Sequence, residues 1–157
     1  MAATYEAIAT TTLGSAQSSV TLSSIPSTYT DLLLIVNGGI TSNREMLMRV
    51  NGDSGSNYSS TLLRAYGSSV GSQRESNSSS VFVGDYASDP CTTIFQFNNY
   101  TAGTYKTILT RISTVGNMIG ASVGLWRSTS AINSITLFSS YQLTSGSMLT
   151  LYGIKAA

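Results

Sequence analysis

Apolar residues along this chain come in short runs of β-branched and aromatic side chains, separated by clusters of Gly, Ser, Asn and Asp at intervals of about 8 to 15 residues. That rhythm predicts strands over Thr4 to Thr12, Ser18 to Ser23, Asp31 to Asn37, Glu45 to Val50, Ser80 to Asp85, Thr92 to Asn98, Tyr105 to Ser113, Ile119 to Leu125, Ile132 to Phe138 and Ser147 to Ile154. About ten strands with almost no helix predict two packed sheets, an all-β, jelly-roll-like antiparallel β-sandwich. No linker and no internal repeat divides the chain, so residues 1–157 read as one domain with a short N-terminal segment.

Three segments give this pattern its detail. The run Leu32 to Val36 has no polar member, which predicts a central strand buried on both faces, by the sheet partner and by a loop or a neighbouring subunit; five residues between Asp31 and Asn37 are too few for a helix. Ile119, Ala121, Val123 and Leu125 alternate with Gly120, Ser122 and Gly124, so the aliphatic set is expected to face the core. Asn51 to Asn77 breaks the alternation with four glycines among many serines, and is expected to form the long functional loop, with only Tyr58 to Tyr66 open to a short helix or an irregular strand. Pro26 and Pro90 mark turns, since neither donates to a ladder. Leu149 to Ile154 is expected to close a sheet as its last strand.

Composition narrows the function. Charged residues are 10% of the chain, against roughly 25% in an ordinary soluble domain. The exterior is instead dressed in hydroxyls, which suits packing into an assembly. The eight basic residues are spread singly, so no stripe is available to neutralise phosphates and no nucleic-acid partner is expected. The longest apolar run is far too short to cross a bilayer, and no basic leader with an apolar core precedes it, so membrane insertion is not expected either. A lone Cys91 allows no intrachain disulfide and reads as a small buried side chain.

Chemistry-bearing strings are sparse. Gly52-Asp53-Ser54-Gly55 looks like the segment around a serine-protease nucleophile, but the chain has no histidine to take the serine proton. It reads instead as a turn in which Asn51 and Gly52 supply positive φ and Asp53 accepts a hydrogen bond from its own backbone two residues on. The seven carboxylates form no paired glycosidase signature. Oxygen donors cluster at Asn51, Asp53, Ser54 and Asn57, and again at Asp85 to Asp89, without the acidic ligand set of a calcium loop. No catalytic residue, metal or cofactor is expected. Three N-glycosylation sequons are chance matches in a hydroxyl-rich chain. Tyr58, Tyr66, Tyr86, Tyr100 and Tyr141 fall in or beside predicted loops, where tyrosine supplies contact area at low entropic cost. With Trp126 and Arg127 they are the candidate interface or ligand-contact residues; packing over the sandwich ends is the competing role for the tyrosines, and burial in the core for Trp126.

Three strings together carry a resemblance: Val50-Asn51-Gly52-Asp53-Ser54-Gly55-Ser56-Asn57-Tyr58, then Gly124-Leu125-Trp126-Arg127-Ser128-Thr129-Ser130-Ala131-Ile132, then Leu149-Thr150-Leu151-Tyr152-Gly153-Ile154. The combination resembles small β-sandwich virion structural or fibre-tip proteins of tailed bacteriophages. That resemblance implies a homotrimer on the particle exterior, contacting other virion proteins through its N-terminal residues 1–6 or its thin Gly-rich faces; with no leader read in the chain, it is expected to be made in the host cytoplasm. The alternative the resemblance implies is a receptor-binding module at a tail or fibre tip that reads host surface glycans with its loop tyrosines, Trp126 and Asn or Asp side chains.

Overall fold

A computed structural model describes residues 4–42, 44–86, 91–115 and 118–155. Twelve strands make up the fold: β1 (Tyr5–Thr12), β2 (Gln17–Leu22), β3 (Asp31–Gly38), β4 (Arg44–Val50), β5 (Tyr58–Tyr66), β6 (Ser69–Ser78), β7 (Val81–Tyr86), β8 (Cys91–Phe97), β9 (Lys106–Thr114), β10 (Met118–Trp126), β11 (Ile135–Leu143) and β12 (Met148–Ile154). All pairings are antiparallel, in an eight-stranded sheet ordered β1-β12-β3-β8-β9-β10-β5-β6 and a four-stranded sheet ordered β2-β11-β4-β7. The chain is all-β, as the strand rhythm predicts.

The topology follows from two nested ribbons. The β1–β2 arm lies against β11–β12, and the β3–β4 arm against β7–β8, each ribbon bending from one sheet to the other. Pairing of β12 with β3 and of β11 with β4 zips the ribbons together in both layers, which is the jelly-roll arrangement. The larger sheet is then extended by β9, β10, β5 and β6. One contiguous core lies between the layers, built from inward residues such as Leu34, Met48, Phe95, Ile108, Leu137 and Leu151.

Several expectations are corrected. In the segment read as a long loop, Tyr58–Tyr66 is strand β5, the strand alternative for those residues, and the rest of it holds a second strand, β6, the two forming a hairpin turned at Gly67 with φ of 53°. Its serines and glycines hid a strand because β6 sits at the sheet edge, almost fully exposed, with no core to demand alternation. The last strand does not close the sheet: β12 lies between β1 and β3, and β1 is the edge. β3 is the central strand expected: Leu32, Leu34 and Val36 are buried, while Leu33 and Ile35 sit half-exposed on the outer face, the one expected to meet a loop or a neighbouring subunit. Pro90 lies outside the described residues.

The facing of β10 is the largest correction. Ile119 and Val123 are 66% and 47% exposed, while Ser122, Gly124 and Trp126 point inward. Packing between the layers explains the inversion. A Cβ on Gly124 would lie 2.7 Å from Val81 Cγ1, so a glycine here lets β7 approach β10 closely. Gly84 does the same from the other layer: its φ of 151° strains any side chain, and a prospective Cβ would lie 2.4 Å from Ile112 Cδ1, which would have to shift. Small residues were taken for an outward face when they are the inward one.

Candidate functional site

The seven predicted contact residues divide by burial. Tyr58, at the start of β5, is fully buried; its hydroxyl donates to Asp53 O (3.0 Å) and accepts from Val50 N (3.2 Å). Tyr86, ending β7, is buried with its hydroxyl on Thr93 Oγ1, and Tyr100, in the turn after β8, is buried with its hydroxyl on Pro26 O. Trp126, ending β10, is only 2% exposed. None of these four rings offers an open face to a sugar or a partner, so as contact residues they are corrected to core. The physical reason is that each has one polar atom that reaches a partner at the sandwich end while its ring fills space between the layers.

Arg127 is also occupied. Its Nη1 donates to Ser59 Oγ (2.7 Å) and its Nη2 to Asn77 Oδ1 (2.9 Å) and Ser56 O (3.1 Å), which ties β5 and β6 to the turn before them. Tyr66 is half-buried and donates to Asp85 Oδ2 (2.5 Å), the carboxylate that also pairs with Arg64. Burial pushes the Tyr66 phenol up to about 12, with the Asp85 hydrogen bond adding to it. Asp85 is therefore a strand residue in an interlayer cluster rather than part of an oxygen-rich turn; Asp89 lies outside the described residues, as do Met1 to Ala3 of the expected N-terminal contact. Tyr141, on β11, is 38% exposed.

The Asp53 turn is built as expected. Asn51 and Gly52 have φ of 54° and 66°, and Gly55 N donates to Asp53 Oδ1 (2.8 Å). Beyond that, Asp53 Oδ2 accepts from Trp126 Nε1 (2.7 Å) and Asn57 Nδ2 (2.9 Å). The Trp126 hydrogen bond is the largest influence holding its carboxyl below the usual range. With both oxygens of this carboxylate committed to donors of the turn and of β10, the loop is a structural corner. Among the described residues no group of three or more His, Cys, Asp or Glu side chains is placed to hold a metal ion.

What the structure does present is the outer face of the eight-stranded sheet. Cross-strand register arranges it in rows. One row runs Val70, Ala65, Ile119, Ser113, Thr92; the next runs Ser72, Leu63, Ala121, Arg111, Ile94; a third runs Arg74, Thr61, Val123, Leu109, Gln96. Leu63, Val70, Leu109, Ile119 and Val123 are 37–74% exposed, an aliphatic concentration that single scattered surface residues do not produce. Small side chains at Ala65, Ala121 and Ser113 lie among taller ones, leaving a groove of about 480 Å³ lined by Leu63, Val70, Ile94, Arg111, Ile119 and their neighbours. Sequence reasoning missed this face because it placed the β10 aliphatics in the core. The signal available was on β9, where Ile108 and Ile112 compete with Leu109 for the inward phase and outnumber it.

Comparison with protein-family models finds no match, and comparison with curated proteins finds none either. Among solved structures, the chain is similar in fold to a galectin of Caenorhabditis elegans, with 8% identity, a TM-score of 0.37, and coverage of 90% of this chain and 94% of that one.

Proposed function

We propose that the protein is a non-enzymatic structural module of a bacteriophage particle, carried on the exterior as a head decoration or knob and assembling through the outer face of its eight-stranded sheet. The observation that carries this reading is the concentration of Leu63, Val70, Leu109, Ile119 and Val123 on one solvent-facing surface. Burying such residues against a partner contributes about 25 cal/mol per Å² of apolar surface, and the low charge of the chain keeps the accompanying desolvation cost small. Repetition on a symmetric particle multiplies a modest contact.

The resemblance to virion structural modules gives the proposed location and the homotrimer. Two of its strings, around Asp53 and Trp126, meet in one hydrogen-bonded corner, so they form a folding unit of this sandwich. The glycan-reading alternative has less to stand on, because Tyr58, Tyr86, Tyr100 and Trp126 are buried.

Light scattering on the isolated protein tests the assembly. A trimer or larger species is expected, and the pair Ile119→Lys with Val123→Lys should reduce it to monomer while leaving the circular dichroism spectrum unchanged. A wild-type chain that stays monomeric at high concentration overturns the reading. Immunogold labelling of particles then tests the exterior location.

A further inference from the structure

The groove on the outer face has a chemistry of its own. Its floor is Ala65 and Ala121, its walls are Leu63, Val70, Ile119 and Ile94, and its one exposed charge is Arg111. At about 480 Å³ it falls in the size range of small-ligand clefts, roughly 300–1,000 Å³. Arg111 Nη2 reaches only a long hydrogen bond to Gln96 Oε1 (3.5 Å). The two ion pairs among the described residues, Arg64 with Asp85 and Lys155 with Glu6, leave Arg111 out. Arg74, on the same face one row away, is likewise in neither.

An aliphatic trough with an unneutralised guanidinium beside it fits one class of ligand: an aliphatic chain that ends in an anion. The chain covers the apolar walls, and the carboxylate or sulfate meets a planar donor fork that suits it. We propose that this groove binds a free single-chain anionic amphiphile, with Arg111 recognising the head group and Leu63, Ile94 and Ile119 holding the chain. This goes beyond the assembly reading and does not rest on it.

Decanoate is the probe, titrated below its micelle-forming concentration into the purified protein and followed by calorimetry and by amide shifts in a heteronuclear NMR spectrum. Decanoate should bind saturably, with shifts centred on Ala65, Ile94, Ile119 and Ala121, while decyltrimethylammonium binds at least fivefold more weakly. Arg111→Glu should reverse that preference, and Ala121→Trp, which fills the floor from an outward position, should abolish binding of both. Circular dichroism confirms that each variant folds. Equal binding of the two amphiphiles, or unaltered decanoate binding in Ala121→Trp, overturns the proposal. Light scattering on the same samples reports assembly separately, so failure of one reading is distinguishable from failure of the other.

Discussion

The indole Nε1 of Trp126 donates to Asp53 Oδ2 at 2.7 Å, joining the end of β10 to a turn seventy-three positions earlier in the chain. Tyr58 closes the same corner from β5, with its hydroxyl on the Asp53 carbonyl. A buried donor, a turn carboxylate and a buried ring thus hold one end of the sandwich shut. This relationship gives the Asp53 string a role that neither a nucleophile nor a calcium ligand describes.

Removing the carboxylate should leave the indole N–H without its partner in a buried site. Asp53→Ala is expected to cost about 1–3 kcal/mol, the penalty for a buried donor stripped of a charged acceptor. Trp126→Ala should cost more, about 3–5 kcal/mol, because a large core volume is lost as well. Urea denaturation followed by far-ultraviolet circular dichroism measures both, and a Trp126→Ala protein as stable as the parent would contradict the burial found here.

Acid should act on the same corner. The Asp53 carboxyl is held below its usual value of 3.8 in the folded chain, first by Trp126 and then by Asn57 and Gly55. A depressed folded pKa means the unfolded chain binds the proton first, so this stabilisation is complete above about pH 4 and is lost as pH falls through the folded value. Trp126→Phe removes the leading cause. Its stability should therefore fall less steeply than the parent's below about pH 4, as read from urea midpoints across that range.

Alkali should act on the tyrosines. Burial pushes the Tyr58 and Tyr66 phenols up to about 12 from the ordinary 10. Below pH 10 both states hold these protons; above it the unfolded chain releases them first, so stability should decline from about pH 10 to about pH 12. Tyr29, Tyr86 and Tyr100 are raised as well, so Tyr66→Phe removes one of five such phenols and should flatten that decline in part. Midpoints collected at rising pH, with phenolate absorbance at each step, check the sign.

Two neighbouring leucines test the facing of the large sheet. Leu62 is fully buried while Leu63 is 58% exposed. Leu62→Ala should cost about 2–5 kcal/mol through the cavity it opens, whereas Leu63→Ala should stay within about 0.5 kcal/mol. Thermal melts of the two variants against the parent decide it; similar losses at both positions would mean that the outer face is not open.

Strand content was readable because period-two alternation and turn chemistry are local. The Asn51-Gly52-Asp53 turn could be described before any tertiary contact was known, since its positive φ values and its side-chain-to-backbone hydrogen bond involve residues within two positions of one another. Of the β5–β6 hairpin, Tyr58–Tyr66 was readable as helix or strand, but β6 was not readable. An edge strand with both faces in solvent needs no hydrophobic pattern, and β6 has almost none. The outer-face site was hidden because the β10 aliphatics were placed in the core, and the tyrosine readings failed for a separate reason. Buried tyrosines at sandwich ends and exposed tyrosines in loops leave the same trace in a sequence, and only packing separates them.

By itself, then, the sequence determined the all-β class, the positions of most strands and the Asp53 turn, because backbone propensity and short-range hydrogen bonds act over a few residues. The tertiary structure alone decided which face of each strand looks inward. Alternation specifies two faces but not their direction, and on β10 that direction was set by the approach of Val81 to Gly124, a contact between layers that leaves the aliphatic side chains of Ile119 and Val123 in solvent.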